Sequence, residues 1–505
     1  MPIKIIRRNR INLAFLFLVT FNYSYISAKT DTIPPQHKVT LSEAHIGNIE
    51  IDTKLLDSYE PLPENIRQLY LEARDVFSSN PDADFSHSKI IEIAKKYNLP
   101  LMGGPMLGDL SENAVVLWLL PTTSKPIVIK VTKFDGSENK SFEKKPIVPG
   151  MEQRIKLDGL TSNSEYNYGV YIDNYLLAEG NFVTAPASEE KGIFKLAFGS
   201  CFHKIGLHNP NLIREILEKK PQAMLLLGDI AADDRENRVN MHRSDYLLRN
   251  VSEPWRKLSA HIPIYASWDD HDYFNNDLSG IPKGFTAADR KAVVKIWNEN
   301  WNNPKNNNPG IYFNTHLGPI EVIMLDSRSL RNNNCRGEYG SYLGFDQFNW
   351  LKETLKNSKA LFKIISSGTM WSDEITNGKD SWGTWDKKAR EDLFNFIETE
   401  NISGVLLISG DRHGARGFYI PRPSGFAFYE FETGSLGGVP GPDAMAKNTN
   451  SQLFGYHGLD AIAFGEFTFN TETDTPLVTF RLIDEYGNIL EKLAIPYSKL
   501  TPHFE

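Results

Sequence analysis

The spacing of apolar positions changes character twice along the chain. Between residues 63 and 100 it is helical. Pro63 opens a segment with Ile66, Leu69, Tyr70 and Val76, and Ile90, Ile91, Ile93 and Ala94 begin a second. From Met102 to about Pro186 short β-rich stretches take over, at 114–119, 127–131 and 166–171. Turn residues separate them at sandwich spacing, and 181–186 closes the series. From Phe194 onward the apolar runs become continuous: 194–198, 223–227, 262–266, 322–325, 361–365 and 405–408. Runs of this kind predict strands buried on both faces. Residues 211–219, 287–300, 347–355 and 387–398 predict helices between them. The expected organisation is an N-terminal helical arm (29–100), a fibronectin/Ig-like β-sandwich (101–188) and an α/β domain (189–505). The arm offers no chemistry and reads as packing.

Composition narrows the class. A chain of 505 residues with 41% apolar and 23% charged positions is soluble and too long for one core. A formal net charge of −8 argues against a sequence-independent grip on nucleic acid, which needs clustered Lys and Arg. Lys4, Arg7, Arg8 and Arg10, the apolar stretch 13–21 and Ser27-Ala28 have the order of a secretory signal peptide over residues 1–28. The apolar stretch is short of the ~20 residues that span a bilayer. The expected location is therefore periplasmic or extracellular, with no membrane anchor after cleavage. Cys201 and Cys335 are the only cysteines, so no disulfide framework is implied.

Chemistry gathers where the runs end. They lead into Gly199-Ser200-Cys201, Gly228-Asp229, Trp268-Asp269-Asp270-His271-Asp272, Asp326-Ser327-Arg328 and Gly410-Asp411-Arg412-His413. Ligand sites in open α/β sheets lie beyond the carboxyl ends of strands. Three carboxylates around one imidazole repel one another when buried, and a cation removes that cost. Thiolate and imidazole suit a softer or redox-capable ion, carboxylates suit a harder one, and one carboxylate can bridge two ions. Two such ions clamp a phosphoryl group and make hydroxide from bound water at neutral pH. Arg328 or Arg412 can pair with phosphate oxygens. His271 can give a proton to the leaving group.

In these motifs, taken in order, the chain resembles the alkaline phosphatase D family of metallophosphoesterases. Gly103-Gly104-Pro105-Met106-Leu107-Gly108 and Val116-Leu117-Trp118 look like the opening of its sandwich domain. The resemblance implies a four-layer α/β/β/α core and an iron-and-calcium centre, with zinc or manganese as alternatives. Cys201, Asp229 and His413 would hold the thiolate-side metal, Asp229 would bridge, and Asp270 and Asp411 would serve the second. Asn275 or Asn276 would add an amide oxygen. The family's usual Tyr three residues after the Asp of Gly-Asp is replaced by Ala232, followed by Asp233 and Asp234. The expected activity is hydrolysis of phosphate mono- or diesters, small molecules or phospholipids, by a monomer. A phospholipase-like diesterase and a non-catalytic, metal-stabilised binding protein are the alternatives.

Overall fold

A computed structural model of the chain describes residues 32–44, 48–231, 238–305, 307–375, 380–447 and 450–502. The signal-peptide residues 1–28 and the positions of Ala232, Asp233 and Asp234 lie outside the described residues. The chain divides into Met1–Thr32 and Ile33–Glu505, and the second unit is the subject here.

Four helices open it: α1 (Leu41–Ala44), α2 (Ile49–Leu56), α3 (Glu64–Ser79) and α4 (Ser88–Lys96). α3 starts directly after Pro63, whose φ of −50° suits a helix entrance, and buries Leu69, Tyr70, Ala73, Val76 and Phe77 along one stripe. Seven strands follow: β1 (Leu101–Gly108), β2 (Ala114–Pro121), β3 (Ile127–Lys133), β4 (Asn139–Lys144), β5 (Gln153–Asp158), β6 (Glu165–Ile172) and β7 (Tyr175–Val183). They form two antiparallel sheets, ordered β1-β2-β5 and β4-β3-β6-β7. Alternation does this. In β3, Ile127, Ile129 and Val131 are buried while Lys130 faces water.

The remaining strands are β8 (Ile193–Gly199), β9 (Ala223–Leu227), β10 (Ile264–Ser267), β11 (Phe313–Leu317), β12 (Ile320–Met324), β13 (Phe362–Ser367), β14 (Val405–Ser409), β15 (Gly414–Pro421), β16 (Ala427–Thr433), β17 (Gln452–His457), β18 (Ala463–Asn470), β19 (Leu477–Asp484) and β20 (Ile489–Pro496). They build two mixed sheets, β10-β9-β8-β18-β19-β20 and β11-β12-β13-β14-β16-β15-β17. The apolar runs are the parallel centres of both, β8 to β10 and β12 to β14.

Burial on both faces explains the runs. Leu225 and Leu227 of β9 join a cluster with Phe467 and Phe480 of their own sheet and with Val322, Ile364 and Leu406 of the other. The two sheets thus pack face to face. Met224 and Leu226 point the opposite way, under Leu212, Leu247, Leu258 and Trp297 of covering helices. Ile323, Ile365 and Leu407 lie beneath Leu351 and Leu393 on the far side. The result is the expected four layers, α/β/β/α, with the antiparallel sandwich attached. Among the described residues no helix is long and apolar enough to cross a membrane.

Register places the site. Gly199 lies opposite Leu226 and Ser267 opposite Leu227, so β8, β9 and β10 end at one edge. Ser367 lies opposite Ser409 in the second sheet. Ser200 N donates to Thr433 O at 2.9 Å and ties the two edges together, while Gly410 N donates to Gly368 O at 3.2 Å and extends the β13–β14 pairing of the second sheet.

Candidate metal centre

Each strand end turns sharply, and the turns are strained. Cys201, His203, Lys204, Asp229, Asp411 and His413 all have positive φ, between 42° and 76°. A non-glycine residue held there costs about 1–3 kcal/mol and persists only when its surroundings over-determine it. Backbone bonds supply much of that restraint. Cys201 N donates to Gly228 O and His203 N to Asp229 O, each at 3.0 Å. Asp272 accepts from Asp229 N, from Ile230 N at 3.1 Å and from Asp269 N at 3.2 Å, tying two loops together. Gly228 is required because its φ is +106° and a Cβ there would stand 2.5 Å from Asp269 N.

These turns bring Cys201, His203, Asp229 and His413 together, all buried, with one candidate ligand atom from each lying within 4.8 Å of the others. Cys201 Sγ and His203 Nε2 each lie 3.7 Å from Asp229 Oδ2. His203 Nε2 is 2.9 Å from His413 Nε2. His413 Nδ1 lies 2.8 Å from Pro440 O, which only accepts. His413 Nδ1 therefore carries the proton, and its Nε2 lone pair faces the group. Asp229 also belongs to a second group with Asp269 and Asp270. Its buried Oδ1 has no hydrogen-bond donor among the described residues. A buried carboxylate shared by two donor groups, one of its oxygens without a donor among the described residues, fits a pair of cations.

Electrostatics agree. Burial, then the charges of Asp270, Asp269, Asp272 and Asp411, push the Asp229 carboxyl well above the carboxylate range. Burial also raises Asp411 to about 7, with Arg412 opposing it. Burial, helped by Asp229, raises the Cys201 thiol. Burial would raise Asp270 too, but Arg328, His271 and the backbone N–H groups of Asp277 and His271 prevail and hold it low.

A cavity of about 450 Å³ opens over this floor. Asp229, Asp270, His271, Asn276, Asp277, Asp411, Arg412 and His413 line it, with Leu41, Pro440, Gly441 and Pro442 on the apolar side. His271 is 2% exposed, and its ring centroid lies 5.5 Å from that of His203.

The structure places the two members of each expected pair, Arg328 or Arg412 and Asn275 or Asn276, differently. Arg328 is fully buried and does not reach the cavity. Its Nη2 donates to Asp269 Oδ2 and its Nη1 lies against Asp380 Oδ2, both at 2.8 Å, with Asp411 and Asp270 at 3.7 and 3.8 Å. It holds carboxylates in place, whereas Arg412 lines the cavity, with its Nη1 3.5 Å from Asp411 Oδ2. Asn275 turns its Oδ1 back to accept from Asn276 N at 2.6 Å, so Asn276 is the amide that lines the cavity. The second donor group includes Asp269 beside Asp229 and Asp270, while Asp411 lines the same cavity. Both oxygens of Asp269 are engaged by Arg328, whereas Asp411 Oδ2 is buried and accepts no hydrogen bond among the described residues. Cys201 and Cys335 are both free thiols. The sequence reading passed over His203. Its signal was the Cys-Phe-His spacing, which puts thiol and imidazole two residues apart on one turn.

The family model of PhoD-like phosphatases matches residues 200–457, just over half of the chain. The chain belongs to this PhoD-like phosphatase family. Every donor from Cys201 to His413 falls inside the matched segment, while the sandwich and β18 to β20 fall outside it. Alkaline phosphatase D of Bacillus subtilis (strain 168) is 22% identical over 387 residues, 63% of this chain and 65% of that protein. The chain thus spans just under two thirds of that relative's length. The solved structure of PhoD superposes with a TM-score of 0.63 at 18% identity, covering 78% of this chain and 89% of that one. A purple acid phosphatase from yellow lupin (Lupinus luteus) seeds gives 0.57 at 12% identity, covering 78% and 75%. Both establish the fold of the PhoD-like core described above.

Proposed function

We propose that this PhoD-like chain hydrolyses phosphate esters with two cations and acts as a broad phosphomonoesterase or phosphodiesterase after export. The observation that carries the reading is Asp229, shared by two donor groups at the floor of a cavity roomy enough for a phosphoryl group and part of its alcohol. The Cys201 side suits iron, zinc or manganese, and the all-oxygen side suits a hard ion such as calcium. Bound cations would neutralise the phosphoryl oxygens and lower the pKa of a water at the site. The chain's own residues do the rest. Arg412 pairs with a free phosphate oxygen. Arg328 fixes Asp269 so that the neighbouring Asp270 keeps its place. His271 protonates the departing alkoxide, and Leu41, Pro440 and Pro442 receive the alcohol portion. Export is supported by the basic, apolar and small-residue order of residues 1–28.

The test is hydrolysis of aryl phosphate mono- and diesters with and without a chelator. Turnover that a chelator abolishes and added cations restore is expected. Chelator-insensitive turnover would refute the cation-based mechanism. Retained cations without turnover on any ester would favour a metal-stabilised binding protein.

A further inference from the structure

We propose that His203 is the fourth ligand of the Cys201-side ion, and that the set of one thiolate, two imidazoles and one carboxylate selects a four-coordinate divalent ion of the zinc class. This rests on the two-cation reading above and specifies one of its sites.

Donor chemistry and distances together point to a tetrahedron: two edges lie nearer its value, and the third, now at the octahedral value, has to open. Zinc bonds of about 2.0–2.3 Å in a tetrahedron place neighbouring donors roughly 3.3–3.6 Å apart, whereas six-coordination at similar bond lengths needs edges near 3.0 Å. Observed edges are 3.7 Å for Cys201 Sγ to Asp229 Oδ2, 3.7 Å for His203 Nε2 to Asp229 Oδ2 and 2.9 Å for His203 Nε2 to His413 Nε2. Two of three exceed the octahedral edge, and the imidazole pair needs to open by less than an ångström. His203 has no solvent-exposed side-chain surface, and its Nε2 faces Asp229 and His413. The donors sum to two negative charges, which balances a divalent ion. Sulfur and nitrogen donors favour zinc over calcium or magnesium.

The loop is also braced from outside. Lys204, next in sequence, has φ of 61° and sends its ammonium to the buried carboxylate of Asp52 in α2 at 2.8 Å. Asp52 in turn accepts from Tyr70 and Arg74, each at 3.0 Å. An imidazole held by strained backbone and a buried ion pair is placed, not merely packed.

The experiment replaces the native ion by cobalt(II), whose visible spectrum reports coordination number and thiolate ligation without any turnover. The wild-type protein should take up one cobalt with intense four-coordinate bands and a thiolate charge-transfer band. His203→Gly suits the positive φ and removes only the imidazole. It should weaken retention against a competing chelator at least about a hundredfold, because loss of an outer-shell partner alone costs ten- to a hundredfold. Added imidazole should restore both band and retention. His203→Cys should retain the ion and strengthen the thiolate band. Wild-type retention and an unchanged spectrum in either variant would overturn the assignment, as would a six-coordinate spectrum or a ferric ion at Cys201 in protein purified without added metal. A wild-type protein with the expected spectrum and no esterase activity would refute the proposed function and leave this site standing.

Discussion

Stripped of cations, the folded protein should lose stability as pH rises from about 4 to 7, and cation binding should cancel that loss by releasing protons. Asp411 is the group that sets the magnitude. Its carboxyl rises from an ordinary 3.8 to about 7 on folding, chiefly through burial. A carboxyl raised in this way gives stability that is fully present below pH 3.8 and is lost as pH rises through 7. That span of about three pH units corresponds to about 4 kcal/mol, at about 1.4 kcal/mol per unit. Asp229 and Asp269 are shifted in the same direction. Asp270, held low, has the opposite sign, but its window lies below pH 3.8 and does not overlap. Glu432, also raised to about 7 by burial with Arg416 opposing, is shifted in the same direction as Asp411. Cation binding must displace protons from the Cys201 thiol and from Asp229, so at least two should leave per centre at pH 6. Apparent affinity should then rise about a hundredfold per pH unit between pH 5 and 6. Calorimetric titration of chelator-treated protein in buffers of different ionisation enthalpy counts these protons. Urea midpoints of stripped and loaded protein across pH 5–8 give the stability difference. Release of fewer than one proton, or a stripped protein that loses no stability relative to the loaded one as pH rises, would refute the burial argument for these carboxylates; the absolute trend also carries buried His208, lowered to about 4 and opposite in sign.

His271→Ala should slow hydrolysis of alkyl phosphates on the order of a hundredfold to ten-thousandfold while barely affecting nitrophenyl phosphate, with ion content preserved. Equal losses across a leaving-group series would show that His271 is not the acid. Asp52→Asn should lower ion retention about tenfold in a chelator titration by releasing the Lys204 turn. Retention matching wild type would show that the N-terminal arm only packs. Asn276→Ala should weaken retention on the second side, because Asn276 lines the cavity. Thiol counting under non-reducing, denaturing conditions should find both cysteines free.

The central strands were legible because burial on both faces leaves no polar positions to interrupt them. The run 223–227 is β9 to the residue. Helix His242–Val251 was not legible for the converse reason. It is buried throughout yet carries His242, Arg243, Asp245, Arg249 and Asn250. Its polarity is absorbed inside, with the Arg249 guanidinium 4.5 Å over the Trp301 ring. The motifs located the centre, but partners distant in sequence decided individual roles. Nothing near Arg328 announces that Asp380 will take one side of its guanidinium, and a Cys-Phe-His triplet on its own is an ordinary turn.

The order β10-β9-β8-β18-β19-β20 has a bearing on how the chain is made. β8 lies early, at Ile193–Gly199, yet its outer neighbour is β18, at Ala463–Asn470, paired from Ile193 to Phe198. A growing chain that has reached His457 contains every candidate ligand, and the family-matched segment ends there too. At that length β8 still presents a bare row of N–H and C=O groups beside an uncovered Phe194, Leu196 and Phe198. An unpaired apolar edge of that kind recruits other chains. The segment after His457 therefore works as an intramolecular guard made after the ligands, and a chain cut short there would keep its ligands and leave this edge of β8 open.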